Sequence, residues 1–256
     1  MTIATKKTAK KSKHSTIDAA EVAQFDSLGD RWWDEAGPMR PLHRLNPQRM
    51  TYIRDTACAH FGRGNDKMGA LSGLKIADIG CGGGLVTEPL CRMGASVTGI
   101  DAGPENIRVA KAHAKSHGLA IDYMTTTAEA LAATGKKFDV VTALEIIEHV
   151  SDPPLFLKAC CALVKKDGLL ILSTLNRTPK SFALGIVAAE YILRWLPQGT
   201  HDWKKFMKPS EINALLEQNG FQATDITGLV YNPLTSQFAL SKRDTEVNYF
   251  LAGVRK

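Results

Sequence analysis

Glu145, Glu148 and His149 stand inside an apolar run, ALEIIEHV at 143–150, with spacing i, i+3, i+4. Two carboxylates and an imidazole resist burial unless they are paired or bound. A helical turn would bring side chains so spaced onto one side. Together they make a hard, mixed oxygen and nitrogen donor set of the kind that holds Mg²⁺ first, with Mn²⁺ or Zn²⁺ as alternatives. Without metal, His149 is a candidate general base, and Glu145 and His149 are the candidate catalytic pair. A third reading is structural, because acids at a helix start complement its dipole.

Upstream, ADIGCGGG places Gly80, Gly82, Gly83 and Gly84 directly after an apolar run. A turn without Cβ atoms lets the backbone approach a ligand closely. A dinucleotide fingerprint needs a third glycine where Leu85 stands, and no Lys-Ser/Thr pair follows to grip a phosphate. Asp101 lies 21 residues after Gly80, where a carboxylate accepts hydrogen bonds from ribose hydroxyls. Asp78, just before the loop, would attract a cationic ligand and repel a pyrophosphate, which favours S-adenosyl-L-methionine over NAD. The plainer alternative is that the glycines only make a turn and Asp101 only caps the next helix.

These residues need elements to position them. Strand-like runs occupy 74–80, 95–101, 120–124, 137–144 and 168–175, and helical patterns lie near 85–93, 104–117, 127–133 and 152–165. Gly118 and Gly168 sit where helices should end. Continuous apolar strands separated by helices predict a parallel sheet covered on both faces, a Rossmann-like α/β fold whose ligands bind at the carboxyl ends of the strands. Residues 17–60 read as helical with a Pro/Gly-broken loop, and Asn46-Pro47 reads as a helix start. Alternation pauses over 177–208 and resumes with a helix near 209–219. Two strand-like stretches follow, 221–232 and 247–256, whose pattern suits an antiparallel edge hairpin.

The chain of 256 residues carries a formal charge of +6. Five lysines fall in residues 1–14 without an acid, leaving 27 basic against 26 acidic side chains elsewhere. A near-neutral folded part does not point to nucleic acid. Residues 1–16 are expected to be a disordered Lys-rich tail, and 17–256 a single domain. Five cysteines without ligand spacing read as reduced thiols. No secretory or transit segment is evident, so a cytoplasmic location is expected.

DIGCGGG, the acid of TGID and FDVVTALEIIEHV resemble, in order, the signature of class I S-adenosylmethionine-dependent methyltransferases. That resemblance implies a seven-stranded sheet with a reversed last hairpin. FDSLGDRWWDEAGPMRPLHRLNPQRMTYI, EIIEHVSDP, STLNRTPKS, AEYILRWLPQGTHDWKKFMKP and TGLVYNPL are similar to the ubiquinone-biosynthesis O-methyltransferase branch, over about residues 20–254. The resemblance implies methylation of polyprenylated hydroxyphenol and catechol intermediates at two steps, 2-polyprenyl-6-hydroxyphenol and 3-demethylubiquinol being the substrates. It also implies a divalent metal at Glu145, Glu148 and His149, and a cofactor site at Arg49, Gly80, Asp101 and Leu144. Asp78 and Gly82 join that site on the reading of the loop given above.

Physical chemistry agrees with several of these expectations. A guanidinium such as Arg49 grips a carboxylate in two parallel bonds. Methyl transfer to a phenol needs the phenolate, and a free phenol with a pKa of about 10 is mostly protonated at neutral pH. A bound cation lowers such a pKa. The 177–208 stretch is placed as a substrate cap. Its apolar residues from Phe182 to Leu196, flanked by Lys180, Arg194, Lys204 and Lys205, suit an in-plane membrane helix or a buried lid equally. The expected partners are therefore a polyprenyl phenol or quinol, a peripheral contact with the inner face of the membrane through 180–196, and a ubiquinone-pathway complex. His201 and Asp202 are a further candidate proton acceptor. The alternatives are an O-methyltransferase for another small or lipidic phenol, or a catalytically silent, lipid-binding assembly protein.

Overall fold

A computed structural model describes residues 15–66, 69–184 and 202–255. The Lys-rich arm before residue 15, the insert over 185–201 and with it His201 lie outside the described residues. The elements alternate from Lys75 onward: β1 (Lys75–Ile79), α3 (Thr87–Arg92), β2 (Ser96–Asp101), α4 (Pro104–Ser116), β3 (Asp122–Thr125), α5 (Ala128–Ala133), β4 (Phe138–Leu144), α6 (Pro153–Leu163) and β5 (Val164–Leu175). Before them come α1 (Ala19–Asp26) and α2 (Arg40–His60). After them come α7 (Pro179–Ser181), α8 (Pro209–Gln218), β6 (Phe221–Asn232), β7 (Gln237–Ser241) and β8 (Asn248–Arg255).

The strands form one sheet in the order β3-β2-β1-β4-β5-β8-β6-β7. The first five are parallel; β8 inserts antiparallel between β5 and β6. The reversed C-terminal pair is therefore present, but β6 and β8 are not the edge. An eighth strand, β7, pairs with β6 and takes that place. Its five residues are all at least partly exposed, so they lack the apolar run that marks the inner strands.

Alternation along β5 divides the core. Leu170 and Leu172 pack with α5, α6 and α8 on one face, whereas Leu169 and Ile171 pack with α2 and α3 on the other. Both faces are covered, as the continuous apolar strands require.

Local signals held at some places and failed at others. Gly118 follows α4 at φ 66° and takes the left-handed position expected of it. Gly168 does not: α6 already ends at Leu163, and Asp167 adopts the positive φ instead. Gly168 is a glycine for room, since a Cβ there would lie 2.7 Å from Val164 and 2.9 Å from the Asp139 carbonyl. Asn46-Pro47 is not a helix start either. The helix α2 begins at Arg40 with Pro41 in its first turn, Pro47 lies inside it, and the Asn46 amide donates to the Leu85 carbonyl at 2.7 Å. Thr16 is buried, and its carbonyl accepts from the Ser151 amide, so the chain is already docked at that residue.

Candidate active site

A cavity of about 640 Å³ opens at the carboxyl ends of β1, β2 and β4. It runs without interruption from Asp78, Gly80, Gly82, Asp101 and Leu144 to Glu145, His149, Leu175 and Asn248. Arg49 lines it from α2. Of the residues expected to hold the cofactor or to form the acid–acid–histidine set, all except Glu148 thus reach one space.

The glycine loop turns where β1 ends. Gly80 and Gly82 have φ of 72° and 52°, a region closed to most L-residues. The close approaches they permit are made by protein. A Cβ on Gly80 would lie 2.1 Å from Ile146, and one on Gly82 would lie 2.5 Å from the Trp32 ring. Trp32 in turn donates to Asn106 at 2.7 Å, and Trp33 donates to the Gly83 carbonyl at 3.0 Å. The N-terminal aromatic pair therefore closes over the loop.

Asp101 accepts from the Gly82 amide at 3.0 Å, the Gly103 amide at 2.8 Å and the Asn106 side chain at 3.1 Å. It ties the loop to the residues before and in the first turn of α4 without capping that helix, whose Asn106 amide donates to Asp26 instead, and it also faces the cavity. Its oxygens keep lone pairs for a further donor. Asp78 is buried and accepts from Thr87 at 2.7 Å and Thr142 at 2.8 Å. Burial raises its pKa to about 6 against those bonds.

Arg49 is 4% exposed, and its Nε and Nη2 have no hydrogen-bond partner. Nη2 lies 3.7 Å from Glu145 Oε1. Burial lowers its pKa, opposed by Glu145, Asp78 and Glu148 in that order. A buried cation with unsatisfied donors on a cavity wall fits an anionic ligand group.

The acid–acid–histidine segment is not one helical turn. Glu145 has φ 51°, and only Ile147–His149 form a short 3-10 turn. Serine and asparagine hold the Glu145 carboxylate, Ser173 donating at 2.7 Å and Asn248 at 3.1 Å. The main chain of Glu145 is fixed as well, its amide donating to the Ser173 carbonyl at 3.0 Å. A non-glycine residue held at positive φ by its surroundings is a strained position of the kind found at functional sites. Glu148 turns the other way and is buried. It accepts from Thr174 at 2.9 Å through Oε2, while Oε1 has no hydrogen-bond partner. Burial, then the charge of Glu145, pushes its pKa up to about 7. The ligand atoms of Glu145, Glu148 and His149 are not gathered within 4.8 Å of one another.

His149 has a partner that its own segment does not supply. Its Nδ1 is 3.0 Å from Glu21 Oε2 on α1, and the ring of Phe25 meets it edge-on at 5.0 Å. Burial alone would lower the His149 pKa, but the Glu21 hydrogen bond and the charges of Glu148, Glu21 and Glu145 raise it overall. Glu21 drops to about 2 through the His149 bond, with help from Lys205, whose ammonium donates to it at 2.7 Å. Glu21 and Asn248 escape the sequence reading. Glu21 is 128 residues from its partner in an otherwise ordinary helix, and Asn248 is one polar residue at a strand start. Asp202 is exposed and caps the turn Trp203–Lys205.

Comparison with known proteins agrees with this architecture. Residues 77–172 match the methyltransferase domain family. The chain is 55% identical to the ubiquinone biosynthesis O-methyltransferase of Methylobacterium nodulans, over 94% of this chain and 96% of that protein. It is 52% identical to the protein of the same name from Cereibacter sphaeroides strain KD131, over 94% and 98% of the two chains. Among solved structures, the magnesium protoporphyrin IX methyltransferase of Synechocystis PCC 6803 with bound SAM superposes with a TM-score of 0.62 at 20% identity, covering 94% of this chain and all of that one, which shows a shared fold. With the same name on relatives of half-identical sequence over nearly the whole chain, this protein belongs to the ubiquinone biosynthesis O-methyltransferase family and is an O-methyltransferase.

Proposed function

We propose that the chain transfers the methyl group of S-adenosyl-L-methionine to a phenolic oxygen of a polyprenylated hydroxyphenol or catechol. The observation that carries this reading is one cavity lined both by the glycine turn with Arg49, Asp78 and Asp101, suited to the donor, and by Glu145 and His149, suited to accept a proton. When bound, the cofactor supplies a sulfonium methyl open to in-line attack. The unsatisfied Arg49 guanidinium suits its carboxylate, Asp78 its ammonium, Asp101 its ribose and Leu144 its apolar flank. Little else is asked of the protein at that end than positioning.

At the other end the acceptor hydroxyl must lose its proton. His149 takes it, and Glu21 orients the imidazole and stabilises the imidazolium that forms, as a carboxylate does in a catalytic triad. Glu145, held by Ser173 and Asn248, faces the same space. Phe25, Leu175, Leu184 and Tyr231 line the cavity beside it and suit an aromatic ring with an apolar tail.

A divalent cation also belongs to this reading. Glu145, Glu148 and His149 are the hard donors for it; they are not gathered as they stand, and Glu148, whose buried Oε1 has no hydrogen-bond partner, would have to turn from the core toward the cavity to share an ion with the other two. Bound there, a cation would acidify the acceptor hydroxyl. Chelation should abolish turnover, with Mg²⁺ or Mn²⁺ restoring it; full activity after thorough chelation would remove the metal from the reading.

Among the described residues no helix is long and apolar enough to cross a membrane. Phe182 and Leu184 are about half exposed at the start of the insert, and Leu234 is 94% exposed at the β6–β7 turn. They support a peripheral contact that delivers a lipidic phenol to the cavity. The reading as a whole is tested by incubating the chain with isotope-labelled donor and a short-prenyl catechol. A labelled methyl ether is expected; absence of label on oxygen would overturn it.

A further inference from the structure

Away from the cavity, two histidines and a glutamate meet on the outer side of α3 and α4. His113 lies in the last turn of α4 and His117, four residues on, is its C-cap, so their rings meet on one side of the helix end. Glu88 on α3 is 2% exposed, yet its Oε1 lies 2.7 Å from His113 Nδ1. The two imidazole rings are 4.2 Å apart, and one ligand atom from each of the three residues falls within a 4.8 Å span.

We propose that Glu88, His113 and His117 bind a zinc ion. Two imidazoles and one carboxylate form a borderline donor set, the kind that takes three protein ligands and leaves a fourth position to water. Zn–N and Zn–O bonds of about 2.0–2.2 Å put neighbouring donors a little over 3 Å apart, which small rotations of these side chains reach. Supporting groups are in place. The His113 carbonyl lies 2.9 Å from His117 Nδ1 and Ser116 Oγ lies 3.1 Å from it, so with the hydrogen on Nδ1 the Nε2 lone pair is left for metal. Arg92 stands 3.8 Å from Glu88 Oε2, on the side away from His113's contact. His117 is exposed, which gives an ion a path from solvent.

The site also touches the cofactor loop at one remove. Trp33 stacks flat on His113, with ring centroids 3.4 Å apart, while its Nε1 donates to the Gly83 carbonyl. An ion here would cross-link α3 to α4 beneath the tryptophan that holds the glycine loop. Because it binds the folded chain, it would raise thermal stability increasingly as the free zinc concentration exceeds its dissociation constant.

The test is a zinc titration of the untagged, chelator-stripped full chain against a chromophoric competitor, repeated on His117→Ala, His113→Ala/His117→Ala and Glu148→Gln. The histidine variants should lose one equivalent of zinc, or bind it at least about 10–100-fold more weakly, while Glu148→Gln keeps that equivalent. Zinc should raise the Tm of the parent chain more than that of His117→Ala, whose exposed position leaves the fold intact by circular dichroism. Wild-type stoichiometry and affinity in both histidine variants would overturn the site, as would an equal Tm rise. Neither result bears on methyl transfer, so this inference stands or falls apart from the proposed activity.

Discussion

At the proposed cofactor end of the cavity, Asp78, Gly80, Gly82, Asp101 and Leu144 all come from strand ends or the turn after them, and the sheet fixes them with backbone and hydroxyl hydrogen bonds. At the proposed acceptor end, Glu21, the Glu145–His149 segment and Asn248 come from three separate pieces of chain, and each residue is held by another's side chain. Topology builds the first end apart from Arg49, which α2 supplies. The second is assembled by a helix outside the sheet, a strained residue and a reversed strand. Substitutions at the cofactor end should therefore act on binding, whereas those at the acceptor end should act on turnover and its pH dependence.

The largest effect is expected at His149. Replacing it by alanine should lower kcat about 10²–10⁴-fold, with donor affinity nearly unchanged. A comparable loss of donor affinity in a binding assay would erase the distinction between the two ends. Arg49→Ala should do the reverse. Losing a buried, charge-assisted clamp costs about 2–5 kcal/mol, so donor affinity should fall by at least about thirtyfold in calorimetry.

Gly82→Ala probes the topological end by stability. A side chain at φ 52° that meets Trp32 at 2.5 Å should cost about 1–3 kcal/mol, read as a lowered denaturation midpoint. Glu21→Gln sharpens the other end. Glu21 raises the His149 pKa, so the substitution should lower it. As His149 must be neutral to accept a proton, the acid limb of the pH–rate profile should move to lower pH while the plateau rate falls. An unmoved acid limb would mean that Glu21 does not act through His149. The smallest effect concerns the mouth of the cavity. Phe182→Asp/Leu184→Asp should weaken liposome binding and raise KM for long-chain acceptors, leaving KM for short ones alone.

The difference between the two ends also explains what the sequence could show. Glycines after an apolar run, an acid at the end of the next strand and alternating helices are local signals, and together they placed the sheet and the glycine turn and acid that line the cavity. Arg49 was legible only through family resemblance, since nothing in its helix announces a guanidinium with unpaired donors. The acceptor end depends on contacts between distant residues. The ALEIIEHV spacing suggested a helical turn with three side chains aligned, but backbone and side-chain bonds from Ser173 hold Glu145 at positive φ and turn Glu148 away into the core. Glu21 has no signal of its own, because only the docking of α1 makes it the partner of His149. The β7 edge strand was missed for a related reason: a half-exposed edge carries no continuous apolar run.

The central claim is that donor and acceptor meet in one cavity and the methyl group passes to oxygen. Single-turnover mass spectrometry with methyl-labelled S-adenosyl-L-methionine and a short-prenyl catechol tests it directly, with His149→Ala and Arg49→Ala in parallel. The account predicts one labelled methyl ether per chain, slowed in the His149 variant even at saturating donor and restored in the Arg49 variant by raising donor concentration. Label on carbon, no label at all, or variants that respond alike to donor concentration would contradict it.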